Sequence, residues 1–237
     1  MRIALLGYGK MGQLIAQLAP LSGHQISVCF STKLGLLKER LAELEPVDLA
    51  IDFSHASAVL PHLELCLSLN KPVVIGTTGW EAELPLAKKM VQNNQSACLY
   101  APNFSIGVYL FQQLVTYAAT LFQPFSHYDV GGVETHHRHK QDQPSGTAKM
   151  LTQQILQHMP RLQDFNFSSV RCGSMPGTHT LYFDSTVDTL TLTHQARTRE
   201  GFAQGALLAA EWLLPRQGFF TLEEMMQDVL KGGSPCH

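Results

Sequence analysis

The chain has 237 residues, 45% of them hydrophobic and 15% charged, the balance of a folded protein with one large or two modest cores rather than of a disordered tract. A formal net charge of −2 gives no electrostatic reason to expect nucleic acid or an anionic membrane as partner, so any anion must be gripped locally. The five cysteines Cys29, Cys66, Cys98, Cys172 and Cys236 are odd in number and widely spaced, without C-x-x-C. With no basic-apolar leader after Met1 and no apolar run of transmembrane length, they point to a reducing cytoplasm.

Ile3 to Leu6 is a continuous apolar run of strand type, and Gly7-Tyr8-Gly9-Lys10-Met11-Gly12 follows it directly, leading into the helix-like Gln13 to Ala19. G-x-G-x-x-G between a buried strand and a helix is a dinucleotide fingerprint. Gly7 makes the turn, Gly9 admits a pyrophosphate, and Gly12 lets helix and strand pack closely. Gln25 to Phe30 reads as the second strand. Its end lacks the acidic residue that normally binds a free ribose 2′-hydroxyl and carries Ser31-Thr32-Lys33, which suits a 2′-phosphate or an ordinary polar loop.

Lys38 to Glu45 looks like a short polar helix or linker. Val47 to Ser54 is a strand, Ala56 to Leu69 a helix, and Val73 to Ile75 a strand ending in Gly76-Thr77-Thr78-Gly79. A helix at Glu81 to Asn93 and a strand at Ala97 to Tyr100 precede Ala101-Pro102-Asn103-Phe104. This alternation predicts a Rossmann-like, doubly wound parallel sheet, whose ligand lies at the carboxyl ends of its strands.

From Ser105 the pattern changes. After a long helix from Ile106 to Leu121 and a strand from Tyr128 to Val133 come fifteen residues, Glu134 to Ala148, dense in ionisable side chains. The helix Thr147 to Gln157 follows, with Ala148, Leu151, Ile155 and Leu156 on its apolar side. The Pro144-Ser145-Gly146-Thr147 turn leaves unpaired N–H groups and a positive dipole end facing outward, an anion site to which His137 and Lys140 add donors. Clustered histidines also occur on solvated surfaces without a role, and imidazole is a common metal ligand. Against a metal, His136 and His137 point to opposite faces of a strand, and no Cys or H-E-x-x-H pattern completes a set nearby.

Thr180 to Asp184 and Thr189 to Ala196 alternate with period two across a tight turn, which implies a second, α+β unit with a mixed or antiparallel sheet. Phe202 to Leu214 is a helix. Thr221 to Glu224 fits a capping box before a final helix ending near Gly232-Gly233, which returns to the first domain.

Glu134-x-His136-His137-x-x-Lys140-x-Asp142-x-Pro144-Ser145-Gly146-Thr147-Ala148 resembles the signature of the 4-hydroxy-tetrahydrodipicolinate reductase (dihydrodipicolinate reductase) family. Gly7 to Gly12, Asp52-Phe53-Ser54, Gly76 to Gly79, Ala101 to Ser105, Gly177-x-His179-Thr180 and Phe202-Ala203-x-Gly205-Ala206 stand in the family's order. The resemblance implies an NAD(P)H-dependent oxidoreductase, usually a homotetramer, that reduces a cyclic unsaturated imine dicarboxylate to tetrahydrodipicolinate in diaminopimelate and lysine biosynthesis. It implies a dinucleotide-binding domain over residues 1–104 and 206–237, and a substrate-binding and oligomerisation domain over 105–205. Carried over by motif, His136 and Lys140 are catalytic, and His137, Ser145, Gly146 and Thr147 hold the substrate carboxylates. The cofactor lies over Gly7, Gly9, Lys10, Met11, Gly12, Gly76, Thr77, Thr78, Ala101, Pro102, Asn103 and Phe104. With Ser31, Thr32 and Lys33 at the 2′ position, NADPH is the preferred cofactor and NADH the second.

Two departures bear on the cofactor: His55 stands where the family often has Arg, and the second strand lacks its acidic end. The chain is also shorter than many members, with the missing length between Phe30 and Val47. The alternatives are another two-domain dehydrogenase, of the aspartate-dehydrogenase or Gfo-like type, and a non-catalytic NAD(P)-sensing protein. The first has no need of the His-His-x-x-Lys to Ser-Gly-Thr segment, and intact His136 and Lys140 speak against the second.

Overall fold

The structure, a computed structural model, describes residues 1–232. Cys236, and Gly233 beside the expected end of the last helix, lie outside the described residues. The chain forms two compact units, Met1–Ser105 with Glu200–His237, and Ile106–Arg199.

In chain order the first unit holds β1 (Arg2–Leu6), α1 (Lys10–Leu18), β2 (Gln25–Phe30), β3 (Leu49–Asp52), α2 (Ala56–Ser68), β4 (Val73–Ile75), α3 (Leu84–Asn93) and β5 (Ala97–Tyr100). The second holds α4 (Ile106–Phe122), β6 (Asp129–His136), α5 (Gly146–His158), β7 (Phe167–Arg171), β8 (Thr178–Asp184) and β9 (Thr189–Gln195). The chain then returns to the first unit with α6 (Glu200–Leu213), β10 (Gly218–Thr221) and α7 (Leu222–Leu230).

The first unit's sheet is parallel throughout, in the order β10-β5-β4-β3-β1-β2. Every residue of β3, β4 and β5 is buried, as strands covered on both faces require, which is why they read as apolar runs with Asp52 at the end of β3 the one charged residue. On one face α2 and α3 press Val59, Leu63, Cys66, Ala87 and Val91 into the core. On the other, α6 contributes the small Ala203, Ala206, Ala209 and Ala210, all fully buried, and packs beside α1. Lys38 to Glu45 resolves into two 3-10 turns, Leu37–Glu39 and Leu41–Leu44, whose Leu37 and Leu44 are buried. The expected capping box is present: Thr221 Oγ1 accepts the Glu224 N–H at 3.3 Å, and the Glu224 carboxylate accepts the Thr221 N–H at 2.7 Å.

The second sheet is mixed, in the order β7-β6-β8-β9, with β6 and β7 parallel and the other pairs antiparallel. Its register decides what the unit can do. Gly132 of β6 pairs with Phe167 and Leu181, Glu134 with Ser169 and His179, and His136 with Arg171. Because side chains alternate with period two, these residues share one face. That face passes from an apolar end, covered by Phe111, Val115, Leu151 and Ile155 of α4 and α5, to a buried polar end at the carboxyl terminus of β6.

Two strands and one boundary differ from the sequence reading. β7 carries only two large apolar residues, and β10 is four residues long, so neither has a periodicity that stands out. The second boundary between the units falls at Arg199/Glu200, whereas position 206 lies inside the continuous helix α6.

Candidate active site

At the carboxyl edge of the parallel sheet, β1 runs into Gly7, held by its N–H to Phe30 O at 2.9 Å. Gly7 has φ +93°, and a Cβ there would stand 2.4 Å from the Phe53 carbonyl oxygen, so the turn admits glycine only. A Cβ on Gly12 would meet the Gly7 oxygen at 2.2 Å, which is the close helix–strand packing the fingerprint implies. Gly9 faces open space and precedes α1, whose first turn has no side-chain cap. Free N–H groups beside an uncovered backbone fit a pyrophosphate.

Two cavities meet here, of about 260 and 470 Å³, sharing Gly9, Phe53, Ser54 and His55. The first reaches Gly7, Ser31 and Thr32; the second reaches Lys10, Met11, Gly76, Thr77 and Thr78. Lys33 is exposed and lines neither. Arg40, which carries no signal in the sequence, lies over the Phe30 ring at 5.2 Å and donates to the Leu34 carbonyl oxygen at 2.5 Å, with its charge already paired to Glu43 at 2.6 Å. The Thr77 hydroxyl is turned inward. It donates to Asp52 Oδ1 at 2.8 Å and accepts the Ser54 N–H at 2.8 Å, while Asp52 Oδ2 lies 2.8 Å from His62 Nδ1. Residue 77 thus offers a ligand its backbone and serves to brace the β3 and β4 ends. Of the Ala101 to Phe104 loop, Ala101 and Phe104 are buried, Pro102 is exposed, and Asn103 Oδ1 accepts the Ser105 N–H at 2.8 Å.

In the second unit, β6 extends three residues past Val133, which places Glu134 and His136 on the buried face. Glu134 is fully buried, and its two oxygens are served unequally. Its Oε1 accepts from Ser169 Oγ at 2.6 Å, Arg171 Nη2 at 2.8 Å and the Ser145 N–H at 3.1 Å, and its Oε2 lies 2.7 Å from His136 Nδ1. Burial works against its ionisation, but the hydrogen bonds from Ser169, Arg171 and Ser145 outweigh it and bring the carboxyl down to about 2. His136 sits below the usual histidine range, chiefly through burial and also through Lys140 and Arg171, with Glu134 opposing. His179 Nε2 is 3.0 Å from Ser145 Oγ, and burial first, then His136, lower its pKa to about 4, so the ring is neutral at pH 7.

Ser145 caps α5, its Oγ accepting the Ala148 N–H at 3.2 Å, and a Cβ on Gly146 would meet nothing within 4 Å. The helix therefore presents an open, positive N-terminus at Gly146 and Thr147. Lys140 Nζ lies 2.7 Å from Asp142 Oδ1. His137 is half-buried, its ring 6.5 Å from that of His139. The sequence reading had no means to rank Glu134, Arg171 and His179, which only strand register brings together. Ligand-type atoms of Glu134, His136 and His179 lie within 4.8 Å of one another, a grouping invisible from the spacing of His136 and His137. Its carboxylate already faces the Arg171 guanidinium, which supplies the positive charge that a metal would bring.

A parallel sheet with a glycine cradle at its carboxyl edge, and a second unit with a buried histidine near an open helix N-terminus, fit a nicotinamide-dependent oxidoreductase. The family descriptions "Dihydrodipicolinate reductase, N-terminus" and "Dihydrodipicolinate reductase, C-terminus" match residues 1–104 and 107–226. The chain is 38% identical to the 4-hydroxy-tetrahydrodipicolinate reductase of Christiangramia forsetii, over 98% of this chain and 100% of that one. It is 31% identical to that of Archaeoglobus fulgidus, over 96% and 100%. A solved structure of dipicolinate-bound dihydrodipicolinate reductase from Paenisporosarcina sp. TG-14 superposes with TM-score 0.78 at 25% identity, covering 93% of this chain and 97% of that one. The chain belongs to the dihydrodipicolinate reductase family. Among the described residues no helix is long and apolar enough to cross a membrane.

Proposed function

We propose that the chain reduces the cyclic imine dicarboxylate derived from 4-hydroxy-tetrahydrodipicolinate to tetrahydrodipicolinate, using NADPH in preference to NADH. The observation that carries this reading is the α5 N-terminus, open at Gly146 and capped by Ser145, on the same carboxylate network as the buried His136. A substrate with two carboxylates needs several donors in a compact arc. The N–H groups of Gly146 and Thr147, the Thr147 hydroxyl, His137 and Lys140 can furnish them. The dipicolinate bound in the Paenisporosarcina protein is a planar dicarboxylate of the same kind.

The nicotinamide cofactor supplies the hydride when bound. Hydride addition to a conjugated imine leaves an electron pair that a proton must quench. In this reading His136 gives that proton, and the Lys140 ammonium polarises the imine or holds a carboxylate. NADPH preference is supported by the absence of an acidic residue at the end of β2, where Ser31, Thr32 and Lys33 stand. A cytoplasmic homotetramer belongs to the same proposal: Cys29, Cys66, Cys98 and Cys172 are free, and the outward face of the second sheet exposes Val170 and Tyr182.

The test is to follow NADPH and NADH oxidation when the purified protein is mixed with pyruvate, aspartate semialdehyde and a dihydrodipicolinate synthase. His136→Gln and Lys140→Ala should each lower kcat about a hundredfold or more while nucleotide affinity stays within about twofold. No oxidation by the wild type would refute the proposed reaction, and near-normal kcat in both folded variants would remove His136 and Lys140 from it.

A further inference from the structure

We infer that Glu134 is a positioning residue for this reduction, orienting the His136 ring through Nδ1 and tying it to the Ser145 cap of the anion site. The inference rests on the reading that His136 moves the proton.

The argument starts from the demands on one buried carboxylate. Oε1 receives three donors, from Ser145, Ser169 and Arg171, so the group cannot swing. Oε2 is left facing His136 Nδ1 at 2.7 Å. The approach is bent away from full hydrogen-bond geometry, and the other group near Oε2, His179 Nε2, stands at 3.9 Å, beyond hydrogen-bond reach. Two buried polar atoms without partners are costly, and with the carboxylate fixed, a small turn of the ring is what aligns them. An oxygen with no proton of its own requires Nδ1 to carry one. The other ring nitrogen, Nε2, borders Gly177, where a Cβ would stand 2.8 Å from it and where φ is +150°. Glycine at 177 therefore leaves Nε2 uncovered by a side chain. Neutral His136 is thus held with Nδ1–H inward and Nε2 free to exchange a proton, and its charged form is balanced by Glu134. The same carboxylate fixes the residue that caps α5, so proton donor and carboxylate site share one rigid support.

An amide cannot serve both sides. In Glu134→Gln, a carbonyl oxygen kept towards Ser145, Ser169 and Arg171 turns the NH2 group onto Nδ1, which must then accept, and the proton moves to Nε2.

The experiment combines steady-state kinetics with ¹⁵N-histidine NMR at pH 8. His136 in the wild type should show the Nδ1–H tautomer, and in Glu134→Gln the Nε2–H tautomer. Glu134→Gln should lose about a hundredfold in kcat while KM stays within about threefold. Glu134→Ala, which also releases Ser145, should lose in both kcat and KM. A folded Glu134→Gln variant with kcat within about threefold of wild type would overturn the inference. So would an Nε2–H tautomer in the wild type, a readout that needs neither a folded variant nor turnover. A wild type with the Nδ1–H tautomer and no reductase activity would refute the proposed reaction and leave the orientation by Glu134 standing.

Discussion

Lys140 and Asp142 form an ion pair, Nζ to Oδ1 2.7 Å, at the mouth of the anion site. Lys140 chiefly, with smaller contributions from the Asp142 and Gly146 N–H groups, holds the Asp142 carboxyl below its ordinary range against slight burial. A carboxylate of the chain itself is thus drawn to two of the groups proposed to hold the substrate's carboxylates. A substrate carboxylate must compete with it. Asp142→Ala should therefore tighten pyridine-2,6-dicarboxylate binding. Both partners are partly exposed and screened, so the expected gain is about two- to fivefold. Calorimetric titration showing weaker binding in the variant would instead make Asp142 a brace for Lys140.

This pairing marks the limit of what the residues disclosed. Gly7 to Gly12 and Pro144 to Thr147 were legible because their chemistry is local: a turn that only glycine makes, and a helix start that presents its N–H groups. The core strands were legible because β3, β4 and β5 are buried on both faces. Glu134 was in view as part of a motif, but its role depends on Ser169 and Arg171 of β7 and His179 of β8, far away in sequence and joined by register alone. β7 itself, alternating Phe167, Ser169 and Arg171 on its inner face, hides its pattern because two of the three inward residues are polar. The same polarity makes the site.

Acid should destabilise the protein in two stages. His179 falls from its ordinary 6.5 to about 4 in the fold, so between those values the unfolded chain takes up a proton that the folded one refuses. Stability then drops as pH falls through that window, by at most about 1.4 kcal/mol per pH unit. Glu134, lowered from 4.5 to about 2, adds a second loss below pH 4.5. Urea midpoints measured from pH 8 to 3 should decline from about pH 6.5, and His179→Gln should shrink that first decline without abolishing it, because burial also lowers His136 and His194. A flat profile down to pH 4.5 in the wild type would mean that His179 is protonated in the folded state.

The cofactor prediction turns on charge beside β2. Lys33 is exposed, so a nucleotide 2′-phosphate would meet it in solvent, where each unit charge is worth about 1 kcal/mol. NADPH should bind at least as tightly as NADH, and Lys33→Glu should weaken NADPH about tenfold while leaving NADH within about twofold. Fluorescence titration of both nucleotides at two ionic strengths measures this. A strong NADH preference in the wild type would reject the assignment of Ser31, Thr32 and Lys33.

Gly146 gives the sharpest test of the carboxylate site, because the structure separates two reasons for a glycine. A Cβ there meets no protein atom within 4 Å, whereas one at Gly7 would collide with the Phe53 backbone. Substitution at 146 therefore leaves the fold intact, and what it fills is the space in front of the α5 N–H groups. If a carboxylate oxygen belongs in that space, Gly146→Val should raise KM while the melting temperature and NADPH affinity hold. Thr147→Val, which removes one hydroxyl donor, should do the same to a smaller degree. Each lost charge-assisted hydrogen bond costs about 1.5 to 3 kcal/mol, or roughly ten- to a hundredfold in affinity. Pyridine-2,6-dicarboxylate should compete with substrate, and pyridine-2-carboxylate should bind far more weakly, because it leaves half of the donor arc unanswered. Equal inhibition by the two, or an unchanged KM in both variants, would move the substrate's carboxylates away from this helix end.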